Sequence, residues 1–230
     1  MATVTDEKSF DGIGKSLLAT GKGAIIGVEA YPKIVDNDTR IHIVYFADGV
    51  GNELTVQGGS VQAKMNVHAV VSPLVQGSWA VAQVRVATMT DWGNKVNASG
   101  HQLSFLQIYT TPGPGPVARL FIARVAITEG EDRSPPGPAS NLSAELVDGV
   151  VSVAWTASVD NVCTASYRVH RGMTADFIPT RENRIGDSTT VRFSDGALGN
   201  FGTYFYRIVP VDIAGNIGVA SDAVRIAVIE

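Results

Sequence analysis

Cys163 is the only cysteine in 230 residues. No disulfide can form within the chain, and no cysteine cluster can hold a metal. Charge is also scarce: Asp, Glu, Lys and Arg make up 17% of the chain, against about 25% in ordinary soluble domains. The formal net charge is -4, and no run of Lys and Arg stands out. That excludes the electrostatic footprint of a nucleic-acid binder or of an anionic-membrane binder. No apolar run is long enough to span a bilayer. Sustained helical periodicity is missing too.

Catalytic signatures are equally thin. No serine sits in a Gly-x-Ser-x-Gly elbow. The four histidines, His42, His68, His101 and His170, stand at no zinc-site spacing from one another or from the cysteine. They read as solvated surface histidines, with His68 and His170 on the polar faces of their strands. A phosphate-binding loop is approached only at Gly12-Ile13-Gly14-Lys15-Ser16. There Ser9 replaces the first glycine, no apolar strand precedes and no helix follows. The expectation is a non-enzymatic protein with no cofactor.

What is present is β pattern. Hydrophobic residues reach 45% and glycines number 24, enough to fill cores and to supply tight turns between short strands. Residues 1–22 are polar and glycine-punctuated, and read as an extended arm. Residues 23–130 read as one β-sandwich, with strands expected over 24–28, 41–46, 61–71, 79–88, 103–109 and 117–127. Across 61–71 Val61, Ala63, Met65, Val67, Ala69 and Val71 alternate with Gln62, Lys64, Asn66 and His68, which is the period of a half-buried strand. Alternating prolines at 112–116 mark a loop. Residues 131–138 are charged, then proline-rich, and read as a short stiff linker.

Residues 139–230 carry two conspicuous runs. Trp155-Thr156-Ala157-Ser158-Val159-Asp160-Asn161-Val162 leads to Tyr167-Arg168-Val169. Gly202-Thr203-Tyr204-Phe205-Tyr206-Arg207-Ile208 leads to Val211-Asp212-Ile213-Ala214-Gly215-Asn216. Together they resemble a fibronectin type III domain of the kind found in bacterial and phage proteins. The resemblance implies that Trp155 is the central core aromatic. It also implies that Leu198 and Tyr204 form a tyrosine corner. The first half shares an aromatic at a strand start, Trp79, and an Asp91-Trp92-Gly93-Asn94 turn. On those features it resembles an immunoglobulin-like sandwich. The fold class is therefore all-β, with two tandem β-sandwich domains.

Candidate site residues are few. Trp92 lies in an expected turn, where an indole is hard to bury. Exposed aromatics serve sugar stacking or protein interfaces. In a sugar-binding reading Tyr45 and Tyr109 join it. Asp36 and Asp38, with Asp48, offer loop carboxylates of the kind calcium takes; capping of turns is the competing reading. Capping is also the reading for Asp160, Asp212 and Asn216, placed by the type III pattern at one end of its sandwich.

The residues point to a structural or adhesive protein acting through protein–protein contacts with its own or a scaffold's subunits, such as a phage virion component. The polar N-terminus, without a secretory signal, fits particle assembly better than secretion. The alternative is a carbohydrate-binding or spacer module of a secreted bacterial polysaccharide-degrading or adhesion protein, with a surface polysaccharide as partner. The corresponding locations are the virion, or the extracellular space and cell surface.

Overall fold

The computed structural model describes residues 2–5, 16–20, 25–29, 34–61, 63–91, 99–111, 113, 118–198 and 201–229. The chain divides into two compact units, Met1–Asp132 and Arg133–Glu230. Both are β-sandwiches. The only helical element among the described residues is a 3-10 turn, Val86–Thr88.

Among the described residues ten strands build the first unit: β1 Ala2–Thr5, β2 Ser16–Thr20, β3 Ile25–Glu29, β4 Thr39–Asp48, β5 Leu54–Ser60, β6 Met65–Val71, β7 Trp79–Arg85, β8 Thr90–Asp91, β9 Phe105–Thr110 and β10 Arg119–Glu129. They form two five-stranded antiparallel sheets, ordered β1-β2-β10-β4-β7 and β3-β9-β5-β6-β8. Period-two alternation decides which face goes inward. Ile41, Ile43, Tyr45 and Ala47 of β4 face Leu54 and Val56 of β5, Val67 of β6, and Leu106 and Ile108 of β9 across one apolar core. β10 keeps this alternation through a bulge between Ile122 and Arg124. Leu120 and Ile122 point inward before the bulge, Val125 and Ile127 after it. The extra residue resets the parity of an eleven-residue strand that would otherwise turn its second half outward.

A β-sandwich was expected here, and its strand order refines that expectation. β2-β10-β4-β7 faces β3-β9-β5-β6, and the chain steps from sheet to sheet between β2 and β3, β3 and β4, β4 and β5, β6 and β7, β7 and β8, and β9 and β10. That is the double Greek key of a jelly roll, not the hairpin-built sheets of an immunoglobulin domain.

Three other expectations change. The described parts of residues 1–22, 2–5 and 16–20, are not a free arm. β1 pairs with β2, and β2 pairs with β10, so both described segments belong to the unit's own sheet. Backbone hydrogen bonding to an available sheet edge outweighs the polar composition. Residues 61–71 do not form one strand. Lys64 adopts a left-handed φ of 52°, its amide donates to the Val61 carbonyl, and Val61 is 75% exposed. The strand starts at Met65, and its partner is the β5 hairpin arm. Finally, His42 and His170 are buried rather than solvated.

The second unit has, among the described residues, seven strands: β11 Ser140–Val147, β12 Val150–Thr156, β13 Thr164–Gly172, β14 Arg184–Ser188, β15 Arg192–Asp195, β16 Gly202–Asp212 and β17 Val224–Val228. β11-β12-β15 packs on β14-β13-β16-β17. Trp155 is in the core, edge-on to Tyr167 with ring centroids 5.3 Å apart. A buried polar knot ties the two sheets. Asp195 at the end of β15 accepts hydrogen bonds from Arg171 Nη1 of β13 at 2.7 Å and from the Tyr206 phenol of β16 at 2.8 Å. The Ala197 amide donates to its other oxygen. Arg171 also lies over the Tyr204 ring, 5.4 Å from its centroid. A buried carboxylate is costly unless paired and hydrogen bonded, and here Asp195 has three donors.

Burial first, and then the Asp195 carboxylate, pushes the Tyr206 phenol well above its ordinary value near 10. On raising the pH the unfolded chain loses this proton before the folded one does. The Tyr206 contribution to stability is whole below about pH 10 and drains away as the pH climbs above it. Tyr206→Phe should lower stability at neutral pH by about 1–2 kcal/mol, the cost of one hydrogen bond to a charged group. It should also flatten the alkaline loss. Urea unfolding at neutral pH and above about pH 10 checks both outcomes.

Candidate functional site: an open sheet face

The residues singled out from sequence do not converge. Tyr45 is inward on β4 and 2% exposed. Its phenol oxygen accepts a hydrogen bond from the Val75 amide at 3.1 Å. It is a core residue, because the alternation that buries Ile41 and Ile43 buries Tyr45 as well. Trp92 lies outside the described residues. Tyr109 is half-buried on the outer face of β9.

The carboxylates expected to share a calcium ion are separated and committed. Asp38 precedes β4 and Asp48 ends it, about 30 Å apart for a strand of this length. Asp36 Oδ1 accepts from the Asp38 amide and from the Thr39 amide and hydroxyl. The Thr39 bonds hold its pKa below the usual value. Asp38 pairs with Arg85 at 2.6 Å, and Asp48 pairs with Arg119. These residues cap a turn and close ion pairs.

The histidines have structural partners. His42 Nε2 lies 2.9 Å from Thr128 Oγ1. Burial pushes its imidazole below the usual value, opposed in part by the Asp132 carboxylate. His170 Nδ1 lies 2.9 Å from Asn183 Oδ1. The glycine–lysine segment before Ser16 lies outside the described residues.

A more ordered constellation appears on the outer face of the second sheet of this unit. Inward positions on β5, β6 and β9 are apolar, so outward positions are fixed by parity. Register then arranges them in three rows. Tyr109, Thr55 and Val70 form one row. Gln107, Gln57, His68 and Thr90 form the middle row across four strands. Phe105, Gly59 and Asn66 form the third. The middle row spans about 14 Å, three strand spacings. Gln57 donates from Nε2 to Asn66 Oδ1 at 2.9 Å, which sets the orientation of both amides. The Phe105 ring lies over Gly59, where a Cβ would come within 2.5 Å of it. Glycine is required at that crossing.

None of these ten positions on β9, β5, β6 and β8 carries Asp, Glu, Lys or Arg; beyond β9 the register brings Ile25, Gly27 and Glu29 of β3 opposite Tyr109, Gln107 and Phe105. Amides, the exposed Thr90 hydroxyl and an imidazole offer donors and acceptors, flanked by two half-buried aromatic rings, while Thr55 is buried. Such a face suits a neutral, hydroxyl-rich ligand. Sequence reasoning reached Tyr109 and the outward placement of Asn66 and His68. It missed Gln57 because Gly58 and Gly59 disguise β5 as a turn. The alternation Phe105-Leu106-Gln107-Ile108-Tyr109 was the signal available for the rest.

The architecture is thus that of a tandem β-sandwich protein with one ordered sheet face whose middle row is uncharged. No family model matches the chain. Exoglucanase B of Cellulomonas fimi is 25% identical over 171 residues, covering 74% of this chain and 14% of that protein. Chitinase Chi52 of Paenibacillus xylanexedens is 34% identical over 155 residues, covering 64% of this chain and 28% of that protein. Among solved structures, an Fn3-like protein from Clostridium thermocellum aligns with 40% of this chain and 92% of its own, at 22% identity and a TM-score of 0.35. The chain spans less than a third of the length of each of these two curated relatives.

Tyr45→Phe should cost about 1 kcal/mol of stability through the loss of one hydrogen bond. It should leave any ligand binding by the sheet face unchanged. Thermal melts and a binding assay on the same preparation test the two halves of this statement.

Proposed function

We propose that the chain is a non-catalytic accessory segment of a secreted polysaccharide-degrading protein. In this reading the first unit binds a neutral polymer, a β-glucan or chitin. The second is a type III spacer of the bacterial kind, and the location is extracellular. The observation that carries the reading is the uncharged grid of Gln107, Gln57, His68 and Thr90 between the Tyr109 and Phe105 rows. Side-chain amides match vicinal hydroxyls with paired donor and acceptor. An aromatic ring presents an apolar plate to the C–H face of a sugar. A flat, neutral face also avoids the desolvation cost that charged groups add to binding. Relatives named exoglucanase and chitinase support this reading over a virion subunit.

A virion subunit could link to its neighbour through an arm that adds a strand to an open sheet edge. β1 and β2 are already hydrogen bonded within their own sheet, so the described part of that arm has no strand to spare. Trp92 stays within the sugar-binding proposal: it directly follows β8, whose Thr90 ends the middle row of the grid.

Co-sedimentation and affinity electrophoresis with insoluble chitin, cellulose and soluble β-glucan test the proposal. At least one polymer should retain the intact chain. Tyr109→Ala and the pair Gln57→Ala with Gln107→Ala should each weaken retention by about tenfold, equivalent to about 1.4 kcal/mol. Trp92→Ala should weaken it too if the indole joins the face. Retention of none of the polymers, or equal retention by the face variants, overturns the assignment.

A further inference from the structure

The second unit carries a feature that polymer binding does not use. Along β16 the core-facing positions are Tyr204, Tyr206 and Ile208. Continuing the alternation through Pro210 places Asp212 on the same inner face, at the end of the strand. Asp212 is 2% exposed, and Asp160, in the connection between β12 and β13, is 7% exposed. Their carboxylate oxygens come within 4.8 Å of one another. Two carboxylates this close, out of water, repel each other, and a cation held between them would relieve that repulsion.

Local hydrogen bonds hold both groups in place. Asp160 Oδ2 accepts from the Val162 amide at 2.8 Å. Asp212 accepts from the Asn216 amide through Oδ1 and from the Asn216 side chain through Oδ2, each at 2.7 Å. Gly215, at φ +92°, lets the 212–216 turn close on itself. Each Asp212 oxygen keeps acceptor capacity beyond the one bond it receives.

A separate observation points to a ligand. Thr164 on β13 is directly opposite Asp212 in the antiparallel ladder. Cross-strand partners project to the same face with Cβ atoms about 5 Å apart. Thr164 is 2% exposed, and its hydroxyl oxygen is buried with no hydrogen-bond partner. A buried hydroxyl left unsatisfied beside an inward carboxylate is costly. It becomes favourable if both oxygens share a metal ion.

We propose that Asp160, Asp212 and Thr164 form a binding site for a hard divalent cation, calcium in particular, at one end of the second sandwich. The donors are all oxygens, which selects calcium over zinc. The bound ion joins the β12–β13 connection to the end of β16, so it stabilises the unit without taking part in any reaction.

The test uses the intact chain after removal of metal with EGTA. Calorimetric titration with calcium chloride should show one site, and calcium should raise the melting midpoint of the second unit. Asp212→Asn should abolish the calorimetric signal. Thr164→Val is the variant that keeps the outcome readable if Asp212→Asn fails to fold. It should melt no lower than wild type without metal, because it removes a buried unsatisfied hydroxyl. It should also bind calcium about tenfold more weakly through the loss of one oxygen ligand. A merely structural threonine would give the first result without the second. No heat and no shift with calcium in wild type overturns the proposal. So does calcium binding that survives in Thr164→Val and Asp160→Asn but disappears in Asp36→Asn.

Discussion

A β-sheet with one apolar face has to bury that face, and two-residue alternation leaves the opposite face to whatever the chain can make of it. Everything else in this protein depends on that constraint. In the first unit it places Ile41, Ile43, Val56, Val67 and Ile108 inside and fixes Gln57, His68 and Gln107 outside. In the second it sends Tyr206 inward, where its phenol needs a partner, and Asp195 supplies it. It also carries Asp212 inward at the strand end, where a charge is least expected. The candidate sites are therefore by-products of core parity: one is the face the core does not use, the other is the place where the core pattern ends on a carboxylate.

The two units solve the same problem with different connectivity. In the first, the chain crosses between sheets at most of its turns, so neighbouring strands in each sheet come from distant parts of the sequence. β10 and β4 pair across more than seventy residues. Such non-local pairing predicts slower folding than a hairpin-built sandwich of similar size. The second unit relies on adjacent pairs, β11 with β12 and β13 with β14, and on the Arg171–Asp195–Tyr206 knot that fixes one sheet on the other.

Much of the fold was readable from residues. The apolar β pattern located β4, β7, β9 and β10, and the type III resemblance placed Trp155 in a core and the Tyr204 run on a strand. What failed did so for identifiable reasons. Gly58 and Gly59 belong to a strand because a ring passes over them, yet from sequence two glycines suggest a turn. Val61 continues the apolar beat of β6 by chance and sits in the hairpin. Ser16–Thr20 is short, but a strand needs length only in proportion to the edge it completes, and β10 offers that edge. The connectivity of a jelly roll leaves no local trace, since it depends on which strands meet rather than on what each contains. Of the outward residues on this sheet, only Tyr109 and the polar side of β6 could be found in advance. Thr164 had no signal at all, because its significance comes from the residue opposite it.

Cys163 is buried and is the only thiol of this chain. Neither sandwich is held by a covalent crosslink, so the fold within this chain has no preferred redox environment. The same molecule should form in a reducing cytosol and persist in an oxidising medium. A recombinant host can be chosen for yield alone, and a maleimide probe will report unfolding of the second unit rather than its surface.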